Sequence, residues 1–335
     1  MTLNRLAVCL APLLLALAGC ASGPPAPKPW AETAAREFNL ALGRVTVQGR
    51  PVGLTRSQAA GSPLPVVVYL PGLGQDAEAG QRWAAAWAQA GYAVLTVQPL
   101  EDDAAAWRSP LARSGEFRAL GERHYGTAQR AERLAALRCL LAALQASPTV
   151  GGLTLDWDRA AVAGYETGAQ TALDLGSDAS AWQPRALIAI SPPPMEAPGG
   201  TPALLITSDT DGDALGLVRE PAERRRAFEQ RAPGSAWLLT PPGLSHAALS
   251  GTLPPEGWHA QDQHRGRNMA APMPTQPRGQ GATGPAGGAP RGPRSGSATE
   301  AAMADLQEAM QLSTAFLDAQ LRSARLPASP MLSAR

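Results

Sequence analysis

Cysteine is scarce in this chain. Only Cys9, Cys20 and Cys139 occur in 335 residues, so no disulfide framework can be assembled. Net charge is scarce as well. The 29 Lys and Arg against 28 Asp and Glu leave +1, which removes the electrostatic footprint of a nucleic-acid binder or of a partner for acidic surfaces. Phosphate loops, dinucleotide fingerprints and metal-ligand spacings are all missing, and His259 and His264 alone are too little to hold a metal. Neither a metal nor another cofactor is expected. What the chain has in excess is glycine (34) and proline (32), with most of the surplus in residues 21–30 and 254–298.

Arg5 precedes an apolar run from Leu6 to Ala18 that is short for a membrane-spanning helix. The run ends in Leu17-Ala18-Gly19-Cys20. Small residues ahead of a cysteine let a peptidase reach the backbone. This segment resembles a bacterial lipobox. The resemblance implies a signal peptide over 1–19, a diacylglyceryl group on Cys20, and a Pro-rich tether over 20–42 that holds the protein to the membrane through its lipid. Ala21 in place of aspartate points, by the same resemblance, to the periplasmic face of the outer membrane. Cys9 then leaves with the signal. Cys139 lies in an apolar helical run and is expected to be a buried core thiol.

Beyond the tether, strands and helices alternate. Val45–Val47 and Val52–Thr55 flank Gly49 as a hairpin, and Val66–Leu70 reads as a buried strand. A helix is expected over 76–90, a strand over 93–97, an irregular stretch holding His124, and a helix over 127–146. A strand over 160–163 runs into Gly164-Tyr165-Glu166-Thr167-Gly168, and a helix follows at once. Three more strands cover 186–190, 203–207 and 236–239. This alternation predicts an α/β fold with a doubly wound, mostly parallel sheet in one domain. The core is expected over 43–253, with a disordered Pro/Gly/Arg insert over 254–298. A closing helix over 299–325 and a tail over 326–335 complete the chain.

Four local patterns follow one another in the order of the α/β-hydrolase superfamily. They are Pro71-Gly72-Leu73-Gly74 after a strand, the Gly164–Gly168 turn, Asp209-Thr210-Asp211-Gly212-Asp213 after a later strand, and His246 after the last. The chain resembles the dienelactone-hydrolase and platelet-activating-factor-acetylhydrolase-like branch. The resemblance implies backbone N–H donors to an oxyanion at Gly72, Leu73 and Thr167, a catalytic base at His246 and an acid at Asp211, with Asp209 and Asp213 as rivals. It also implies an ester-like or other small-molecule ligand. No helical cap is expected, because only Ser191 to Pro202 separates the strands where relatives insert one.

The departure from the family lies at the nucleophile. Glu166 stands where a serine belongs. A carboxylate has no hydroxyl for His246 to activate, and its attack on an acyl carbon would form a high-energy anhydride. The expectation is a binding or scaffold module that has lost serine esterase chemistry, with Glu166 paired to His246 in the space of a substrate carbonyl. The alternative is an active hydrolase that uses Glu166 and His246 on a small ester, epoxide or alkyl substrate.

Overall fold

The computed structural model describes residues 38–178, 182–252 and 295–335. Cys20, the tether, His259, His264 and nearly all of the 254–298 tract lie outside the described residues. The architecture is one nine-stranded, mostly parallel sheet with helices on both faces, compatible with the α/β-hydrolase type.

The strands are β1 (Leu40–Val47), β2 (Arg50–Ser57), β3 (Leu64–Leu70), β4 (Ala93–Val97), β5 (Leu155–Tyr165), β6 (Ala186–Ile190), β7 (Ala203–Ile206), β8 (Ala236–Leu239) and β9 (Leu332–Ala334). They lie in the order β1-β2-β4-β3-β5-β6-β7-β8-β9. From β4 to β8 every pairing is parallel, while β1, β2 and β9 add antiparallel edges. Helices α1 (Gln81–Gln89), α2 (Glu101–Ala105), α3 (Pro110–Arg113), α4 (Phe117–Tyr125), α5 (Thr127–Ala146), α6 (Thr167–Ser177), α7 (Arg226–Gln230), α8 (His246–Leu249) and α9 (Ser295–Arg322) complete the described chain.

Strand alternation sorts the core into two layers. Val67, Tyr69 and Val94 face α1 and α9, where Trp83, Trp87, Leu306, Phe316 and Leu317 pack. Val66, Val68, Leu70 and Leu95 face α5 and α6, against Leu137, Leu140, Leu144 and Leu173. Each such side chain, fully buried, contributes about 1.5–3 kcal/mol. The two tryptophans of α1 also satisfy their indoles, Trp83 on the Leu249 carbonyl (2.9 Å) and Trp87 on Ser313 Oγ (3.0 Å).

Several expectations are adjusted. The helix expected from residue 76 starts at Gln81, because Asp76 Oδ1 accepts the Glu78 N–H (2.9 Å) and closes a side-chain turn there. The stretch read as irregular forms α2, α3 and α4, so His124 sits on a helix. Cys139 is half-buried and not a core thiol. The last helix begins at Ser295, inside the tract read as insert, and the tail carries β9. Between β6 and β7 no helix occurs among the described residues.

Candidate active site

Parallel sheets bind ligands at the carboxyl ends of their strands, near the point where strand order reverses. Here β3 lies between β4 and β5, which places that point at the ends of β3 and β5. The loop 71–75 leaves β3 there, and Glu166 leaves β5.

The Gly-Tyr-Glu-Thr-Gly frame forms a tight strand-to-helix turn. Glu166 adopts φ 50°, ψ −112°, a conformation that costs a side-chain-bearing residue about 1–3 kcal/mol. Its N–H donates to the Ile190 carbonyl (3.0 Å), and its carbonyl accepts the Gln170 N–H (2.9 Å). Both flanking glycines are required by close approach. A Cβ on Gly164 would collide with the Gly168 backbone, and one on Gly168 would collide with the Leu70 carbonyl. Glu166 is thereby lifted off the end of β5, with its carboxylate between the loop after β3 and His246.

That carboxylate has two partners. Oε1 lies 2.5 Å from His246 Nε2. Oε2 accepts the Leu73 N–H at 3.1 Å. Gly72 contributes by its lack of a side chain, since a Cβ there would stand 2.6 Å from Glu166 Oε2. Its own N–H is taken by Gln75 Oε1 (3.0 Å), so Gly72 does not serve as the donor expected of it. No hydrogen bond from Thr167 reaches the carboxylate among the described residues; Thr167 is buried, and its Oγ1 has no partner.

The three aspartates after β7 separate cleanly. Asp211 Oδ1 meets His246 Nδ1 at 2.6 Å, while Oδ2 accepts from Ser191 Oγ and Thr207 Oγ1, both 2.8 Å. Asp209 instead accepts the Gly243 N–H (3.1 Å) and ties down the loop that carries His246. Asp213 accepts the N–H groups of Leu215 (2.9 Å), Leu217 and Val218 (2.8 Å), folding the next loop around its carboxylate. Among the described residues, only Asp211 of the three reaches the imidazole.

His246 therefore stands between two carboxylates, one on each ring nitrogen. Burial alone would lower its pKa. The hydrogen bonds to Asp211 and Glu166, with the Glu166 charge, outweigh that and raise it to about 9. For Asp211, burial alone would raise the carboxyl. The His246 hydrogen bond and the Arg224 charge win and hold it below its usual range. An imidazolium that donates from both nitrogens has no lone pair to offer, so the protonated form of His246 is not a base. Tyr165, whose hydroxyl donates to the His246 carbonyl (2.9 Å), is pushed well up by burial and by the Glu166 charge.

No family model matches the chain, and the search of curated proteins gives no match.

Two side chains of the site were not singled out from the sequence. Arg224, 3% exposed, donates from Nε to the Asp211 carbonyl (3.1 Å) and from Nη1 to the Ser191 carbonyl (2.9 Å), and its Nη2 lies 3.5 Å from His246 Nδ1. Its charge opposes protonation of His246 while favouring ionised Asp211. The only signal was the basic run Arg224-Arg225-Arg226, which has the look of a solvated face. Ser191, with φ 49° directly after β6, had no signal at all. Above the site, α2–α4 and the 215–217 loop close together: Leu73, Ala106, Leu120 and Leu215 form a small buried cluster edged by Phe117, Tyr125 and Leu217.

Proposed function

We propose that this chain is an α/β-hydrolase-derived lipoprotein of the cell envelope, anchored through Cys20, in which serine esterase chemistry has been replaced by a binding or scaffold role. The observation that carries the reading is the seat of Glu166. Its two oxygens occupy an oxyanion donor and the base that ester hydrolysis would need, the Leu73 N–H and the imidazole of His246. The side chain leaves no hydroxyl nucleophile and no free base. A ligand of this site is a small molecule approaching under the apolar cover of Leu120, Leu215 and their neighbours. The order of the four motifs, the strained turn and the open parallel sheet support the hydrolase ancestry. The run Arg5 to Cys20 supports the lipid anchor and, with Ala21, the periplasmic face of the outer membrane.

A second reading keeps catalysis, and one observation favours it: the Asp211–His246 pair is intact at 2.6 Å although no serine remains to need it. In that reading Glu166 and His246 act together on a small ester, epoxide or alkyl substrate.

Hydrolysis of short-chain p-nitrophenyl esters by wild type, Glu166→Ser and His246→Ala separates the two. A silent wild type with activity in Glu166→Ser supports the binding role. Turnover by wild type that disappears in His246→Ala overturns it in favour of the enzyme.

A further inference from the structure

A second charged cluster lies buried beside the first and takes no part in the proposed function. Asp103, His124 and Arg133 are 0%, 2% and 1% exposed. His124 Nδ1 meets Asp103 Oδ1 at 2.7 Å, and Arg133 Nε donates to Asp103 Oδ2 at 2.5 Å. Arg133 Nη2 also donates to the His124 carbonyl (2.6 Å). Burial by itself would raise the Asp103 carboxyl, but these donors hold it low, so the aspartate is ionised and matched. Charge sets of this kind are expensive to desolvate, and a well-packed apolar set of similar volume often serves stability as well. What such a set supplies and apolar packing does not is fixed direction.

The bonds leaving this cluster run to both sides of the Leu73–Glu166 contact. On one side, Arg133 Nη1 donates to Gln170 Oε1 (3.3 Å), and the Gln170 N–H is bonded to the Glu166 carbonyl. On the other, the Asp103 carbonyl accepts the Gly74 N–H (2.7 Å). Four residues on, Trp107 Nε1 donates to the Leu73 carbonyl (3.1 Å). The peptide joining Leu73 to Gly74 is thus held at its carbonyl and at its N–H by one short segment, 103–107. That segment is moored through the Asp103 carboxylate to Arg133 and His124.

The geometry points to Asp103, His124 and Arg133 as positioning residues that set the Leu73 N–H and Glu166 against each other, with Arg133 the shared brace between the loop after β3 and the turn after β5. The inference rests on the observed Leu73–Glu166 pairing and not on whether the site turns over a substrate.

The test is spectroscopic, so its outcome is independent of ester hydrolysis. In the full chain, Arg133→Met removes the brace. Trp107→Phe removes one N–H from a side chain 43% exposed and leaves the core intact. Leu317→Ala, on the opposite face of the sheet, serves as a control that loosens packing alone. The amide resonances of Leu73 and Gly74 and the ring resonances of His246 are followed together with the melting temperature. Both site-side variants are expected to move these signals, and Arg133→Met to speed Gly74 amide exchange about tenfold or more. Leu317→Ala is expected to lower the melting temperature without moving them. Loss of melting temperature in Arg133→Met with Leu73, Gly74 and His246 unmoved would reduce the cluster to ordinary core structure and sink the inference. Should Arg133→Met not fold, Arg133→Lys, which keeps the charge but not the fork to Gln170 and the His124 carbonyl, replaces it, and unmoved signals there decide the same way.

Discussion

Replacing Glu166 by glutamine keeps the shape of the side chain and deletes its charge, which isolates what that charge does to His246. The imidazole is raised from 6.5 to about 9, and at 1.36 kcal/mol per unit this corresponds to about 3 kcal/mol favouring the folded, protonated form. Its side chain is only 19% exposed, so solvent screening removes little of that. The sign follows from linkage. A folded pKa above the unfolded one stabilises fully below pH 6.5, and the gain is lost as pH rises through 9. Asp211, held below its usual range, stays ionised across this window. Wild type should therefore lose up to about 3 kcal/mol between pH 6.5 and pH 9.5, read as a falling urea midpoint. Glu166→Gln should bring the His246 titration down by about one unit or more, since an adjacent opposite charge typically accounts for 1–3 units, and should flatten the stability profile. The direct assay is the pH titration of the His246 ring-proton shift in both proteins. A wild-type midpoint near 6.5, or an unchanged midpoint in Glu166→Gln, would refute the double-carboxylate account of this histidine.

Gly168→Ala should cost more than about 3 kcal/mol or prevent folding, because the new methyl runs into the Leu70 carbonyl and neither backbone can yield; thermal denaturation checks it. Among the three aspartates, only Asp211→Asn should shift the His246 titration. Asp213→Asn should instead cost about 1–2 kcal/mol through its loop, with His246 unmoved. Phe316→Ala, fully buried between α9 and the sheet, should cost about 3–5 kcal/mol by chemical denaturation without touching the site.

Much of this arrangement is legible in the residues because the signals are local. Val66–Leu70 and Ala186–Ile190 are short unbroken apolar runs bounded by turn residues, as buried strands are, and the Leu134–Leu144 spacing marks the second half of α5. The paired glycines of the 164–168 turn are visible because close backbone approach tolerates no other residue. The helices α2–α4 were hidden for the opposite reason. α2 and α3 span less than two turns each and α4 two and a half, with Ser109 and Gly115 between them, so no apolar period can build up. A trace was present in Ser109-Pro110, a capping serine followed by proline at the first helical position, and Ser109 Oγ does accept the Ala112 N–H. Arg224, Ser191 and Arg133 owe their places to contacts across long stretches of chain, which no window of sequence displays. Asp211 is the best match in sequence, but its rivals are separated from it only by loop closure, which turns Asp209 and Asp213 to backbone N–H groups and Asp211 to His246.

The short strand β9 covers what would otherwise be the open edge of the parallel sheet at β8. It pairs Leu332, Ser333 and Ala334 with Leu239, Leu238 and Trp237, and Arg335 exchanges main-chain bonds with Ala236 and Gly234. Stripped of these few residues, β8 would present an apolar Trp-Leu-Leu rim with free N–H and C=O groups, an invitation to strand exchange between molecules. The pairing of Leu332–Arg335 is thus what keeps the β8 edge satisfied, and a substitution that breaks it would expose that rim.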